Sequence, residues 1–251
     1  MDLCQKKSRN FSLHDEATGQ GDYWIWTAVA LPSRLRVTSY LSQERNEEAA
    51  QAFIRQFKAR PDGQAPCFTR DKLPAYVAAL IFNYSVPEPF PATRSPGRPR
   101  KQPRRLVDPH LRYAQVDKRR QGGRVVEVRR RIVFGKTDDI AVIIQADGCG
   151  SEVNTAYVER NNLPMRQSVG RLVRMALSFS KNVHFLQRHI DLDDAIYNFV
   201  KPHRALRRRV RGGKPKGRKW QQRTPAMAAG LTDHVWSLEE LLMFHGKPIP
   251  E

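Results

Sequence analysis

Two stretches near the start of the chain alternate apolar and polar residues: "YWIWTAV" (23–29) and "LRVTSYL" (35–41), on either side of Pro32 and Ser33. Successive side chains on a strand point to opposite faces, so this period of two predicts a β-hairpin with one covered face. The period then changes. "NEEAAQAFIRQFKAR" (46–60) opens with an Asn and two acids and closes on bases, the order that suits a helix dipole, and predicts a helix. "APCFT" (65–69) predicts a short strand and "LPAYVAALIFNY" (73–84) a second helix, with Pro74 in the first turn where its missing N–H does no harm. Strand, strand, helix, strand, helix is the succession of a mixed α/β sheet.

"VPEPFPATRSPGRPRKQPRRLVDP" (86–109) is proline-rich and aperiodic, and predicts a linker. "LRYAQV" (111–116) and "RVVEVRRRIVF" (124–134) flank Gly122 and Gly123 and predict a second hairpin. "TDDIAVIIQADG" (137–148) predicts a short helix that stops at Gly148. Met165, Val169, Leu172, Val173 and Ala176 then recur at helical spacing, predicting a long helix with Glu159 in its first turns. Four segments follow: 1–85 with the first strands and helices, 86–150 with the linker and second hairpin, 151–200 with the helix of Glu159, and 201–251 as a basic segment and helical tail.

Charge changes this picture most. The 251 residues, 40% of them hydrophobic, can fill a core, yet the net charge is +19. From Arg94 to Arg131 there are 14 Lys/Arg and 3 acids, and from Lys201 to Arg223 there are 11 and none, which leaves the rest of the chain at −3. Two basic segments on an otherwise ordinary protein predict a polyanionic partner, of which nucleic acid is the commonest, with ribosome-like structural proteins and nonspecific binders as alternatives; a DNA-facing surface added to an ordinary domain would have this look. Cys4, Cys67 and Cys149 are far apart and form no C-x-x-C pair, so neither a zinc ribbon nor a disulfide framework is expected, and a reducing cytoplasm is. No apolar run approaches the roughly 18–20 residues of a membrane span, and "MDLCQKKSRNF" lacks the apolar centre of a signal peptide.

Two carboxylates stand out. Asp71 directly follows a predicted strand, at the carboxyl end where open α/β sheets place ligand-binding groups; a cap for "KLPAY" is the plainer alternative. Glu159 shares its helix face with Asn162, Leu163 and Arg166, and an acid there is also favoured by the dipole alone. Carboxylates are hard oxygen donors for Mg²⁺, and two such ions about 3.5–4 Å apart can clamp both oxygens exchanged at a phosphodiester.

"GDYWIWTAV", "CFTRDKLPAY", "YVERNNLPMR", "LSFSKN", "YNFVKPHRALR" and "TPAMAAGLTDHVWSLEELL" together resemble bacterial insertion-sequence DDE transposases of the insertion-sequence-one type, from about Cys4 to Phe244. The resemblance implies an RNase H-like mixed sheet flanked by helices, with a basic insertion and a helical C-terminal tail. It implies two Mg²⁺ (or Mn²⁺) ions, and DNA strand cleavage and joining at transposon ends and target DNA, with a homodimer in synapsis. Carried over by motif, the second Asp of the family falls on Asp71 and its Glu on Glu159. The first Asp, expected in a D-E-x-W pattern, has no counterpart before "QKKSRNF", so the chain is expected to begin inside that strand, N-terminally truncated. Arg70 and Lys72 flank Asp71 where small residues are usual, and Pro164 follows Glu159 in its helix, removing a hydrogen bond. A non-catalytic DNA-binding remnant is the alternative.

The basic residues expected on DNA are Arg98, Arg100 and Lys101 in "SPGRPRK", either an AT-hook for the minor groove or a generic phosphate-binding arm, with Arg104, Arg105, Arg166, Arg207, Arg208 and Arg209. Trp24, Trp26 and Trp236 are expected in the core, and Trp220, set among bases, is open to stacking.

Overall fold

In the computed structural model the first alternating stretches form an antiparallel sheet in the order β1 (Asp2–Cys4), β2 (Asp22–Val29), β3 (Arg36–Ser42). Ile25 pairs with Leu41 and Trp26 with Tyr40, the register that the alternation demands. Residues 2–4, 22–60, 65–88, 104–148, 150, 152–172, 180, 182–210 and 220–245 are described, and Arg98, Arg100, Lys101, Val173 and Ala176 lie outside them. The turn closes with Ala30 N–H donating to the Leu35 carbonyl at 2.8 Å, and Arg34 takes a left-handed φ of 61°.

The chain divides into two compact units, residues 1–43 with 157–251, and residues 44–156. In the second unit, α1 (Glu47–Lys58) is capped by the Asn46 side chain, which accepts from Ala49 N–H at 2.9 Å. β4 (Cys67–Asp71) follows, then α2 (Pro74–Asn83) with Pro74 in its first turn. Phe53 meets Tyr76 edge-on, and Phe68 lies against both Phe57 and Tyr84, so one face of β4 is covered by these two helices through aromatic contacts. The ends of the predicted linker are tied together: β5 (Ser85–Pro87) pairs antiparallel with β6 (Arg105–Val107).

β4 pairs parallel with β7 (Arg112–Gln121), which pairs antiparallel with β8 (Arg124–Phe134), making a mixed three-stranded sheet. Gly122 and Gly123, at φ 57° and 79°, make the two-residue turn whose twist matches its strands. The predicted strand 111–116 thus ends five residues later, at Gln121. α3 (Thr137–Ala146) covers the other face, with Ile140 and Ile144 against Ala114, Val116 and Val153.

In the first unit, α4 (Ala156–Ser168), which begins one residue before the division, runs on through Pro164. The single long helix expected from 151 onward is a correction: a 3₁₀ turn (Gly170–Leu172) follows α4, and α5 (Val183–Ala195) starts afresh with Asn182 as its cap, continuing into a π-helical turn (Ile196–Val200). Met165, Val169 and Leu172 do face the core, against Tyr23, Ile25, Leu41, Leu186 and Ile190. The helical tail reduces to α6 (Pro225–Ala228) and α7 (Leu238–Met243), preceded by the small ladder of β9 (Arg208–Arg209) on β10 (Trp220–Gln221). No helix among the described residues is long and apolar enough to cross a membrane.

Candidate functional site

Asp71 ends β4 and is exposed, in parallel register with Val116. Its two flanking bases are engaged elsewhere. Arg70 stacks its guanidinium 4.1 Å above the Tyr76 ring, and Lys72 Nζ lies 3.0 Å from Asp117 Oδ2. The strand direction and the turn after it, where Leu73 N–H donates to the Asp71 carbonyl at 2.9 Å, hold Asp71 at the carboxyl end of the sheet.

Glu159 is exposed in the first turn of α4, and the helix beneath it is held from several sides. Arg34 lies 3.7 Å above the Tyr157 ring, and Arg36 Nε donates to Asn161 Oδ1 at 2.8 Å. Tyr157 and Asn161 are four apart and share one side of α4. Glu159, two positions from each, is on the other side. Arg166, seven positions after Glu159, is half-buried on the Glu159 side.

Arg36 is only 2% exposed, yet its charge is met. Its Nη1 lies 2.6 Å from Asp193 Oδ2 and 3.2 Å from Asp194 Oδ1, and its plane sits 4.0 Å over the Tyr197 ring. Its backbone N–H donates to Asn198 Oδ1 and its carbonyl accepts from Asn198 Nδ2, both at 2.9 Å. Gln187 does the same further along β3, accepting from Leu41 N–H and donating to the Ser39 carbonyl. Two side-chain amides from α5 and its π-turn therefore complete the outer edge of β3, which blunts it against pairing. Burial pushes the Asp194 carboxyl up to about 6; the charge of Asp193 adds to this, while hydrogen bonds from Ser39 and Arg36 oppose it.

The sequence left this cluster unnoticed, although a signal existed. On α5 the buried positions run Leu186, Ile190, Asp193, Asp194, so two acids occupy the end of an apolar stripe and require a buried cation.

The expected DNA-facing bases divide. Arg105 stacks 4.6 Å over Phe82 and donates to the Phe82 carbonyl and Ser85 Oγ, so it pins β6 to the end of α2. Arg104 is exposed, as are Arg208 and Arg209 on β9. Arg207 lies 4.1 Å over Trp220, which is 43% exposed. Trp26 is buried, and Trp236 packs on Phe199 and Phe244. His203 is half-buried, its Nδ1 accepts from Ala205 N–H, and burial together with Arg34 holds it below the ordinary histidine range, which favours the neutral ring.

Asp71 and Glu159 have the donor chemistry Mg²⁺ prefers, but they belong to different compact units, and no group of three or more His, Cys, Asp or Glu that could hold a metal ion occurs among the described residues. No family model, curated protein or solved structure matches the chain.

Proposed function

We propose that the chain is an RNase H-like protein of the insertion-sequence transposase type, which binds DNA and carries Asp71 and Glu159 as acids of a strand-cleavage and joining site. The observation that supports this best is the order of elements around Asp71. An antiparallel β1–β2–β3 sheet, a helix, β4 ending in Asp71, a second helix, the short β5–β6 ladder and, in a second sheet, β7 parallel to β4 come in that order, with Glu159 on a later helix. An RNase H-like domain uses that succession, and the motifs around both acids point the same way. Divalent cations held by such carboxylates would supply charge stabilisation to the attacking and leaving oxygens. The chain's own part is positional. Exposed bases hold phosphates, Arg166 offers a cation beside Glu159, and the Arg34 and Arg36 clasp fixes the helix from which Glu159 projects.

A second reading, a DNA binder without catalysis, is favoured by the lack of a three-acid group among the described residues. Plasmid nicking separates the two. With Mg²⁺ or Mn²⁺, nicking that Asp71→Ala and Glu159→Ala each reduce by about 100-fold or more, on the order seen when a group stabilising transition-state charge is lost, identifies the enzyme. Salt-sensitive DNA binding without nicking identifies the binder, and absence of both refutes the proposal.

A further inference from the structure

The β7–β8 hairpin outgrows its sheet. β4 pairs with β7 only as far as Val116, opposite Asp71, and Asp117 to Gln121 pair with β8 alone. Five residues at about 3.4 Å each give a two-stranded ribbon about 17 Å long. Val116 is also the last buried position of β7, and beyond Lys118 both strands are exposed apart from the half-buried Glu127 and the Ile132–Phe134 end of β8. Between Lys118 and Arg131 there are seven Lys/Arg and one acid. Three of the bases are engaged: Lys118 donates to Thr155 Oγ1, Arg129 pairs with Glu127 at 2.6 Å, and Arg130 pairs with Glu152 at 2.6 Å. Arg119, Arg120 and Arg124 on the ribbon make no ion pair among the described residues, nor does Arg131, which faces Gln115 at the ribbon's base.

Apolar groups accompany these charges. Val125, Val126 and Val128 are 46%, 54% and 39% exposed, and the register shifts where Arg119 and Arg120 face Glu127 and Val125, leaving Val126 as the extra residue of a bulge. A strand edge with exposed valines would invite pairing with other strands, and surrounding arginines repel a second copy of the same ribbon. They attract a polyanion instead. The major groove of B-DNA is about 12 Å wide and about 8.5 Å deep and admits a two-stranded ribbon, with apolar side chains able to touch thymine methyls and bases on the flanks able to reach phosphates.

We infer that the β7–β8 ribbon is a DNA-docking arm that enters the major groove of duplex DNA, with Arg119, Arg120, Arg124 and Arg131 on the phosphates and Val125 and Val126 against base edges. It rests on DNA binding as proposed above, but on none of the catalytic residues. These four arginines lie in the basic segment 94–131, but the individual bases expected on DNA, in the AT-hook-like string, the helix of Glu159 and the tail, do not include them.

The test uses the full chain and a DNA duplex of mixed sequence, about three helical turns long. Arg119→Gln, Arg120→Gln, Arg124→Gln and Arg131→Gln combined should weaken binding about 10- to 100-fold at moderate salt and flatten the log–log salt dependence by about 3.6, near 0.9 for each phosphate no longer neutralised. Glu127→Gln should act in the opposite direction, since it releases Arg129 from its partner, and tighten binding about two- to fivefold; a fold defect cannot mimic that gain. Duplex RNA, whose major groove is too narrow for the ribbon, should bind about tenfold more weakly than DNA or worse. If the unaltered chain binds no DNA, the functional proposal falls and this inference with it. Unchanged affinity and salt slope in the fourfold variant, or equal affinity for duplex RNA, would overturn the ribbon alone.

Discussion

The β2–β3 hairpin and the β7–β8 hairpin are both antiparallel, both carry arginine, and use it in opposite ways. In the first, Arg36 is buried and commits its guanidinium and its backbone to Asp193, Asp194, Asn161 and Asn198. In the second, Arg119, Arg120, Arg124 and Arg131 are exposed and make no ion pair among the described residues. A net charge of +19 counts these side chains equally. Physically they differ in kind, because a desolvated guanidinium is held by fixed partners and stabilises architecture, whereas a hydrated one keeps its field for a ligand. The basicity available to an anionic ligand is thus less than the composition suggests.

The largest expected effect breaks that contrast at its buried end. Arg36→Met leaves two carboxylates without their cation and should cost about 3–5 kcal/mol in denaturant unfolding, while Arg124→Met should stay within about 0.5 kcal/mol. Restoring neutrality with Asp193→Asn and Asp194→Asn in the Arg36→Met background should recover much of the loss, because a buried pair replaced as a whole is often nearly neutral. Comparable costs for Arg36→Met and Arg124→Met would mean that the two hairpins are not distinguished by burial after all.

A smaller effect comes from pH. The folded-state Asp194 carboxyl is raised to about 6, above its ordinary value near 3.8. Between those values the native state holds a proton that the unfolded state has released, so stability falls as pH rises through this window. Below about pH 4 both states are protonated and the penalty is absent; above about pH 6 it is fully present. Wild type should therefore lose on the order of 1–3 kcal/mol relative to Asp194→Asn between about pH 4 and pH 7. A flat difference in parallel pH-dependent melts would show that Arg36 offsets burial completely.

Much of the framework was legible from pattern. The first hairpin, both helices around β4 and the Gly122–Gly123 turn follow from periodicity and turn chemistry, and the structure has them within a few residues. Asp71 at a strand end was legible for the same reason: a short apolar run followed by Pro74 leaves little freedom in where the strand stops. The long helix after Glu159 was not, because helical spacing of Met165, Val169 and Leu172 persists through a 3₁₀ turn that buries the same face. Nor was the buried cluster, since Arg36 is 157 and 158 positions from its two acids and only tertiary packing joins them. The ties of Arg105 to Phe82 and Ser85 were equally hidden, as charge counting cannot tell a base that pins two elements from one that awaits phosphate.

The smallest expected effect tests the contrast at its boundary, where the ribbon leaves β4. Lys72 and Asp117 pair at 3.0 Å, yet their side chains are 61% and 47% exposed. An ion pair in that setting exchanges hydration for a screened attraction and must also hold two mobile side chains in one geometry, so its net worth is about 0–1 kcal/mol. Lys72→Met should shift the unfolding free energy by no more than that at low salt, and by less at about 1 M salt, where the Debye length is about 3 Å. The pair thus belongs energetically with the exposed arginines of the ribbon despite geometry as close as that around Arg36. A loss above about 2 kcal/mol, insensitive to salt, would show that distance rather than burial decides which charges hold this protein together, and would remove the ground for assigning the ribbon's arginines to a ligand.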